Sequence, residues 1–191
     1  VAVVSEQATV WLFPRLAGFP ERHPEVQIDH VLAENALPFR HDGVDLRIRY
    51  GMGGWLNEMA EPLFGDWLYP VASPRFAMEH ADATTADLAS LPLIEVDWAA
   101  ADWISGREAL IHGGAPSHSF MARRVGNFRL SMQAAMAHQG IALGWHRMIA
   151  PLVESGELVR ITDLQIPAPG RYYLTRKSDA VLTPAAASFR D

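Results

Sequence analysis

The 191-residue chain contains no cysteine. A disulfide framework, a zinc–thiolate site and a thiol nucleophile are therefore excluded, and the composition is compatible with a reducing compartment. No apolar run approaches the roughly 20 residues of a membrane-spanning helix. The opening "VAVVSEQ" lacks the basic start and long apolar segment of a signal peptide. The chain starts within a strand-like run and stops within a predicted helix, so we expect both ends to be cut points in a longer protein.

Basic residues are also scarce, since 16 Lys and Arg face 22 Asp and Glu, for a net charge of −6. The basic residues do not cluster, and "RR" at 123–124 is only a local pair. This balance argues against the chain holding a nucleic-acid backbone by itself. Apolar residues make up 49% of the chain and charged residues 20%, which is enough for a sizeable core. The length suits one large domain or two small ones.

Motifs for catalysis, metal binding and nucleotide binding are missing as well. The chain has no G-x-S-x-G, no H-E-x-x-H and no Walker-type loop. "GMGGW" (51–55) lacks the G-x-G-x-x-G spacing, and His112 and His118 are separated by a Gly-Gly-Ala-Pro break. We therefore expect no enzymatic activity, no metal and no cofactor.

Apolar segments alternate with helical patterns along the chain. "VAVV", 26–32 and 43–51 are predicted strands, and a helix is predicted from an N-cap at Ser5 to about Arg22. This alternation favours a parallel α/β sheet. Two extended pieces around Gly65–Asp66 lead into a second α/β set, with predicted helices at 101–114 and 128–140.

The predicted strand "GVDLRIRYG" carries an unusual charged face. Asp45, Arg47 and Arg49 alternate with apolar residues. One interpretation is an edge strand with a wet face, and the other is a strand that ends at a ligand cleft. Arg47 must pair, with an acid such as Asp45 or Glu34, or reach solvent. Arg49 could clamp a ligand carboxylate, although a structural role is the more common one.

An ordered set of segments carries a family resemblance. "WLFPRLAGFPERHPEVQIDHVL", "GVDLRIRYG" and "AEPLFGDWLYPVASPRF" are followed by "LPLIEVDW", "ADWISGREAL", "GNFRLSMQAAMAHQGIALGWHRMIAPLVESGELVRI" and "YYLTR". Together they resemble the effector-binding domain of LysR-type transcriptional regulators, most of all the branch containing the regulators of glycine cleavage genes. One departure is Arg47, where the family usually has an apolar residue.

The resemblance implies a type 2 periplasmic-binding-protein fold of the α/β class, with two Rossmann-like lobes joined by two crossover strands. Lobe I would comprise 1–70 and 162–191, and lobe II 71–161, while the winged helix-turn-helix would precede residue 1. It further implies a cytoplasmic homodimer or homotetramer that binds an amino acid, amine or organic acid between its lobes. DNA would be bound only through the absent N-terminal domain, and contact with RNA polymerase would follow.

Open α/β sheets bind ligands beyond the carboxyl ends of their strands. This rule and the resemblance give the following candidate effector-binding residues: Ser5, Glu6, Gln7, Asn35, Tyr50, Gly51, Trp98, Asn127, Phe128, Trp145 and His146. The alternatives are that Ser5 and Asn127 only cap helices, and that the tryptophans are core residues. Tyr50, Trp98, Phe128 and Trp145, with Glu6, could also form an aromatic box for a cationic ligand.

Two other classes share this fold. An extracytoplasmic solute-binding protein would carry a signal peptide and usually a longer chain. A transferase similar to porphobilinogen deaminase would need a cysteine to attach its cofactor, and the chain has none.

Overall fold

The computed structural model describes residues 1–3, 8–32, 43–98, 102–117 and 120–190. The chain forms two compact units, Val1–Gly65 with Pro169–Asp191 (unit 1) and Asp66–Ala168 (unit 2). The boundaries lie at 65/66 and 168/169, whereas the sequence placed them at 70/71 and 161/162. The difference arises because the extended segments Trp67–Ala72 and Ile166–Pro167 pair with each other inside unit 2.

Within the described residues, eighteen α-helices and β-strands belong to the two units. The strands are β1 (Ala2–Val3), β2 (Val31–Leu32), β3 (Arg47–Gly51), β4 (Glu58–Phe64), β5 (Trp67–Ala72), β6 (Leu93–Val96), β7 (Ala122–Val125), β8 (Ile141–Trp145), β9 (Val159–Arg160), β10 (Ile166–Pro167) and β11 (Arg171–Lys177). The α-helices are α1 (Phe13–Leu16), α2 (Phe19–Arg22), α3 (Pro74–Glu79), α4 (Gly106–His112), α5 (Phe128–Met136), α6 (His146–Glu154) and α7 (Pro184–Arg190).

Unit 1 contains a five-stranded sheet in the order β2-β1-β3-β11-β4. β1 is parallel to β2 and β3, as the alternation predicted, but β11 is antiparallel to both β3 and β4. The sheet is therefore mixed. Its core is a cluster of Leu12, Leu46, Ile48, Leu174 and Ala186.

The predicted continuous helix up to Arg22 is wrong in its described part. A π-helical turn at Ala8–Leu12 is followed by the two short helices α1 and α2. Pro14 and Pro20 lie in the first turns of these helices, where a missing N–H costs no helical hydrogen bond. Each proline therefore starts a new helix. The predicted strand 26–32 likewise shortens to β2.

Unit 2 contains a sheet in the order β10-β5-β8-β6-β7, with β9 also pairing with β5. β6 is parallel to β7 and β8, while β5 is antiparallel to β8 and β10. The carboxyl ends of β6, β7 and β8 consequently meet at one edge of the sheet. Fully buried side chains of this unit include Leu68, Leu93, Leu110, Ile141 and Ile149.

Local capping explains where two helices of unit 2, α4 and α5, begin. Ser105 and Glu108 form a reciprocal capping box, so α4 starts at Gly106 rather than at 101 as predicted. The side chain of Asn127 accepts the Leu130 N–H at 2.9 Å and caps α5. Within the described ranges no helix has the length and apolar character needed to cross a membrane.

Candidate functional site

Three parallel strands of unit 2 deliver candidate residues to the same edge. Beyond β6 lie Asp97 and Trp98, beyond β7 lies Asn127, and His146 directly follows β8. Asn127 and Trp98 are half-buried, and Asp97 and His146 are exposed. The strand-end surface, as we call Trp98, Asn127 and His146, is where an open α/β sheet presents groups to a ligand.

A stack of aromatic rings supports this surface from below. Trp98 stacks on Trp103 with ring centroids 4.4 Å apart, and Trp103 meets Trp145 edge-on at 4.8 Å. The ring of Phe128 lies 6.3 Å from that of Trp98. Trp103, Phe128 and Trp145 are buried in the core, so Trp98 is the ring of this cluster that offers surface to a ligand.

The predicted aromatic box would need these rings to stand apart around a cation. In unit 2 they instead pack on one another, and Tyr50 belongs to unit 1. The packed rings of this cluster therefore support Trp98 from the core side and leave no open box between them. Trp103 was missed from the sequence, although its position five residues after Trp98 in a predicted helix was a usable signal.

His146 is held by a buried partner. The hydroxyl of Tyr69, a core residue on β5, lies 3.0 Å from His146 Nδ1. Burial raises the pKa of Tyr69, while Arg160, whose guanidinium lies 4.8 Å from the ring centroid, lowers it. The neutral hydroxyl can donate to Nδ1, which leaves Nε2 of an exposed imidazole for a ligand.

A cavity of about 780 Å³ opens beside Trp98 and Trp103. Its buried acid is Glu95, whose Oε1 accepts the backbone N–H of Arg107 at 3.1 Å. Arg124 lies between two acids, with Nε 3.9 Å from Glu95 and Nη1 3.8 Å from Asp97. Glu95 was not among the predicted site residues, because its position opposite Arg124 follows only from the pairing of β6 with β7. A lining with both charge signs suits a polar ligand.

In unit 1, Tyr50 and Gly51 form a close backbone contact with the start of β11. Tyr50 is 2% exposed, and its hydroxyl accepts the Gly170 N–H at 2.6 Å. A Cβ added to Gly170 would lie 2.5 Å from the carbonyl oxygen of Gly51. This tight approach occupies the Tyr50 hydroxyl within unit 1. The other candidates in this unit, Ser5, Glu6, Gln7 and Asn35, lie outside the described residues.

Among the described residues, two arginines on the charged face of β3 share one acid, Glu58. Arg47 Nη1 and Arg49 Nη1 lie 3.2 and 3.1 Å from the same Oε1 of Glu58, and all three side chains are at most 25% exposed. The sequence left two outcomes for Arg47, pairing with an acid such as Asp45 or Glu34 or reaching solvent. The structure pairs it with an acid that was not named, Glu58 on β4. The guanidinium of Arg49 also lies 3.9 Å from the ring centroid of Trp55, so these contacts favour the structural alternative for Arg49.

Burial and the neighbouring charge of Arg49 lower the pKa of Arg47, and Glu58 opposes them. The shared carboxylate of Glu58 compensates part of this clustered positive charge. The sequence could not give this pairing, because it depends on β11 lying between β3 and β4.

A match to a protein-family model shows which family the chain belongs to. The model of the LysR substrate binding domain matches residues 1–191, the whole chain. The chain belongs to the LysR substrate binding domain family. This LysR domain is 30% identical over 196 residues to the "Glycine cleavage system transcriptional activator" of Escherichia coli (strain K12), covering 98% of the chain and 61% of that protein.

Other relatives agree. The "HTH-type transcriptional activator AmpR" of Rhodobacter capsulatus is 28% identical over 189 residues, or 99% of the chain and 63% of that protein. The AmpR effector binding domain from Citrobacter freundii superposes with a TM-score of 0.82 at 28% identity, covering 99% of this chain and 92% of that one. The fold is thus the type 2 periplasmic-binding-protein fold that the resemblance implied. The LysR domain spans about three fifths of the length of these curated relatives.

Proposed function

We propose that the chain is the effector-binding domain of a LysR-type transcriptional regulator and that it senses a small molecule without transforming it. The observation that carries the proposal is the family match over every residue of the chain. The relatives reported above are transcriptional activators. Within the described residues, no group of three or more His, Asp or Glu is arranged to hold a metal.

In unit 2 the effector contacts the strand-end surface. Trp98 supplies a flat ring, His146 an imidazole, and Asn127 an amide whose oxygen already caps α5. These groups recognise a small polar molecule with an apolar part, such as an amino acid, an amine or an organic acid. Ser5, Glu6, Gln7, Asn35, Tyr50 and Gly51 remain the predicted contacts of unit 1.

In the whole protein, we infer, this domain follows a winged helix-turn-helix that binds DNA. The regulator acts in the cytoplasm as a homodimer or homotetramer, and effector binding changes the geometry of the oligomer and its contact with RNA polymerase. The coding sequence upstream of residue 1 tests this part. A helix-turn-helix there supports regulation, and a secretion signal supports the alternative of an extracytoplasmic solute-binding protein.

A thermal-shift screen of the chain with amino acids, amines and aromatic acids tests the sensing role. A true effector at 100 times its Kd should add about 2.7 kcal/mol to the free energy of unfolding. For such a compound, Trp98→Phe and His146→Gln should weaken binding, because Phe offers a smaller ring face without the indole N–H and Gln lacks the imidazole.

Matched controls separate the site from general effects on stability. Trp67→Phe and His112→Gln change exposed residues of the same types elsewhere in unit 2 and should leave the ligand-induced shift intact. The proposed site is wrong if the controls and the site variants weaken binding equally. The sensing role is wrong if no compound of these classes shifts the melting temperature.

A further inference from the structure

Asp66, the first residue of unit 2, joins three segments that are distant in sequence. Its Oδ1 accepts the backbone N–H of Trp67 at 2.8 Å and that of Arg147 at 3.1 Å. Its main-chain oxygen accepts the N–H of Ala168, the last residue of the unit, at 3.0 Å. One residue therefore ties together the start of β5, the end of the β10 segment and the first turn of α6.

The first turn of α6 depends on this outside support. The residue before the helix, Trp145, makes no side-chain capping hydrogen bond. Pro151 lies inside the helix and cannot donate a helical hydrogen bond to the carbonyl of Arg147. A carboxylate 81 residues away in sequence supplies the cap, and its negative charge suits the positive end of the helix dipole.

The carboxylate is nevertheless poorly solvated. Asp66 is 5% exposed, and its Oδ2 has no hydrogen-bond partner among the described residues. Burial raises the pKa of the carboxyl above the ordinary 3.8, against the two N–H bonds and the charges of Arg147 and His146. On β5 the titratable neighbour is Tyr69, and Ile166 and Pro167 of β10 contribute no charge.

We propose that Asp66 is a proton-sensitive clamp, whose charged carboxylate holds the first turn of α6 against the two ends of unit 2 and whose protonation loosens that hold. A proton added at Oδ2 removes the desolvated charge, while Oδ1 becomes a weaker acceptor for Trp67 and Arg147. Acidification through the pKa of Asp66 thereby increases the mobility of α6 at its N-terminus. This device is independent of the effector.

Linkage gives the clamp a distinctive signature. Because the folded pKa is raised, the folded chain takes up a proton at a pH where the unfolded chain does not, so this group stabilises the fold as the pH falls. When the first turn of α6 opens while Asp66 stays buried, the carboxyl loses the Arg147 N–H that lowers its pKa, so protonation favours this local opening over the same pH range. Global stability and local protection of the Arg147 amide therefore change in opposite directions.

Amide NMR of the chain between pH 3 and pH 8 tests the clamp. The N–H signals of Trp67 and Arg147 should titrate together with one apparent pKa above 3.8, and the carboxyl carbon of Asp66 should report the same value. Hydrogen exchange of the Arg147 amide, corrected for intrinsic rate, should become about fivefold less protected on proton uptake.

Three variants assign the transition. Asp66→Asn should abolish it, and the exposed control Asp163→Asn should leave it unchanged. His146→Gln should keep the transition but move it to higher pH, because the charge of His146 lowers the pKa of Asp66. The proposal is overturned if the two amides titrate at or below 3.8, if their transition disappears in His146→Gln, or if it survives in Asp66→Asn. Should Asp66→Asn fail to fold, the carboxyl carbon of the wild-type chain decides alone.

Discussion

Replacing Glu58 by Gln should destabilise unit 1 far more than removing either arginine that it serves. The carboxylate is 5% exposed and neutralises both Arg47 and Arg49 through one oxygen. Gln keeps the size and an acceptor oxygen but removes the charge. Two largely buried guanidinium groups would then face each other on β3 without a shared anion.

The expected cost follows from the asymmetry of buried ion pairs. Removing one partner of a buried pair costs about 3–5 kcal/mol, because a buried charge is left uncompensated. The retained acceptor of Gln places Glu58→Gln near the lower end, at about 3 kcal/mol. Arg47→Met instead leaves one Arg49–Glu58 pair and relieves the repulsion that lowers the pKa of Arg47. Its effect should lie between zero and a stabilisation of about 1 kcal/mol.

Native-state hydrogen exchange measures the change in the free energy of opening of unit 1 locally. It does not require the two units to unfold together. Amides of β11, which pairs with both β3 and β4, should exchange about 100-fold faster in Glu58→Gln. The matched control Glu61→Gln changes an exposed acid on the same strand and should have little effect. The double variant with Arg47→Met should recover part of the loss. A cost below about 1 kcal/mol for Glu58→Gln, or an equal cost for Arg47→Met, would refute the reasoning.

Two further variants test the close contacts and caps. Gly170→Ala forces a Cβ to 2.5 Å from the carbonyl oxygen of Gly51 and should cost about 3 kcal/mol or prevent folding. The control Gly18→Ala, at a residue with a φ of −97° where a Cβ meets no atom within 4 Å, should cost distinctly less in urea unfolding. Ser105→Ala removes the capping box of α4 and should cost about 1 kcal/mol, against less than about 0.5 kcal/mol for the exposed Ser90→Ala. Equal costs within either pair would contradict the explanation.

Elements with strong local signals were predictable from the sequence. "IALGW" is a buried apolar run that follows Gly140, and it forms β8 at the expected residues. Asn127 was recognised as a cap, and α5 begins directly after it. Such signals need only a few neighbouring residues, because burial, glycine conformation and N-capping act over one turn or one strand.

Features that join distant segments were not predictable. The pairing of Arg47 with Glu58 requires the strand order of unit 1, and the clamp at Asp66 requires α6 to start beside β5. The alternation of apolar and charged residues in "GVDLRIRYG" predicted that Arg47 lies on a charged face. It could not predict which acid of another strand pairs with Arg47. The broken helix before Arg22 is a different case, because Pro14 and Pro20 were visible locally and their preference for first turns outweighs apolar periodicity.

Ligand binding beyond the carboxyl ends of parallel strands selects one edge of the sheet. The position of each residue relative to the end of its strand then decides whether it contacts the ligand or supports the core. Trp145 is the last residue of β8 and is 1% exposed, because the alternation of the strand turns its ring into the core. His146, one residue later, is exposed. Trp98 lies two residues beyond β6 and keeps part of its ring at the surface. A residue beyond the end of its strand can therefore contact a ligand directly, whereas a residue inside the strand supports its neighbours. Only the observed strand ends show which of these two roles a given residue has.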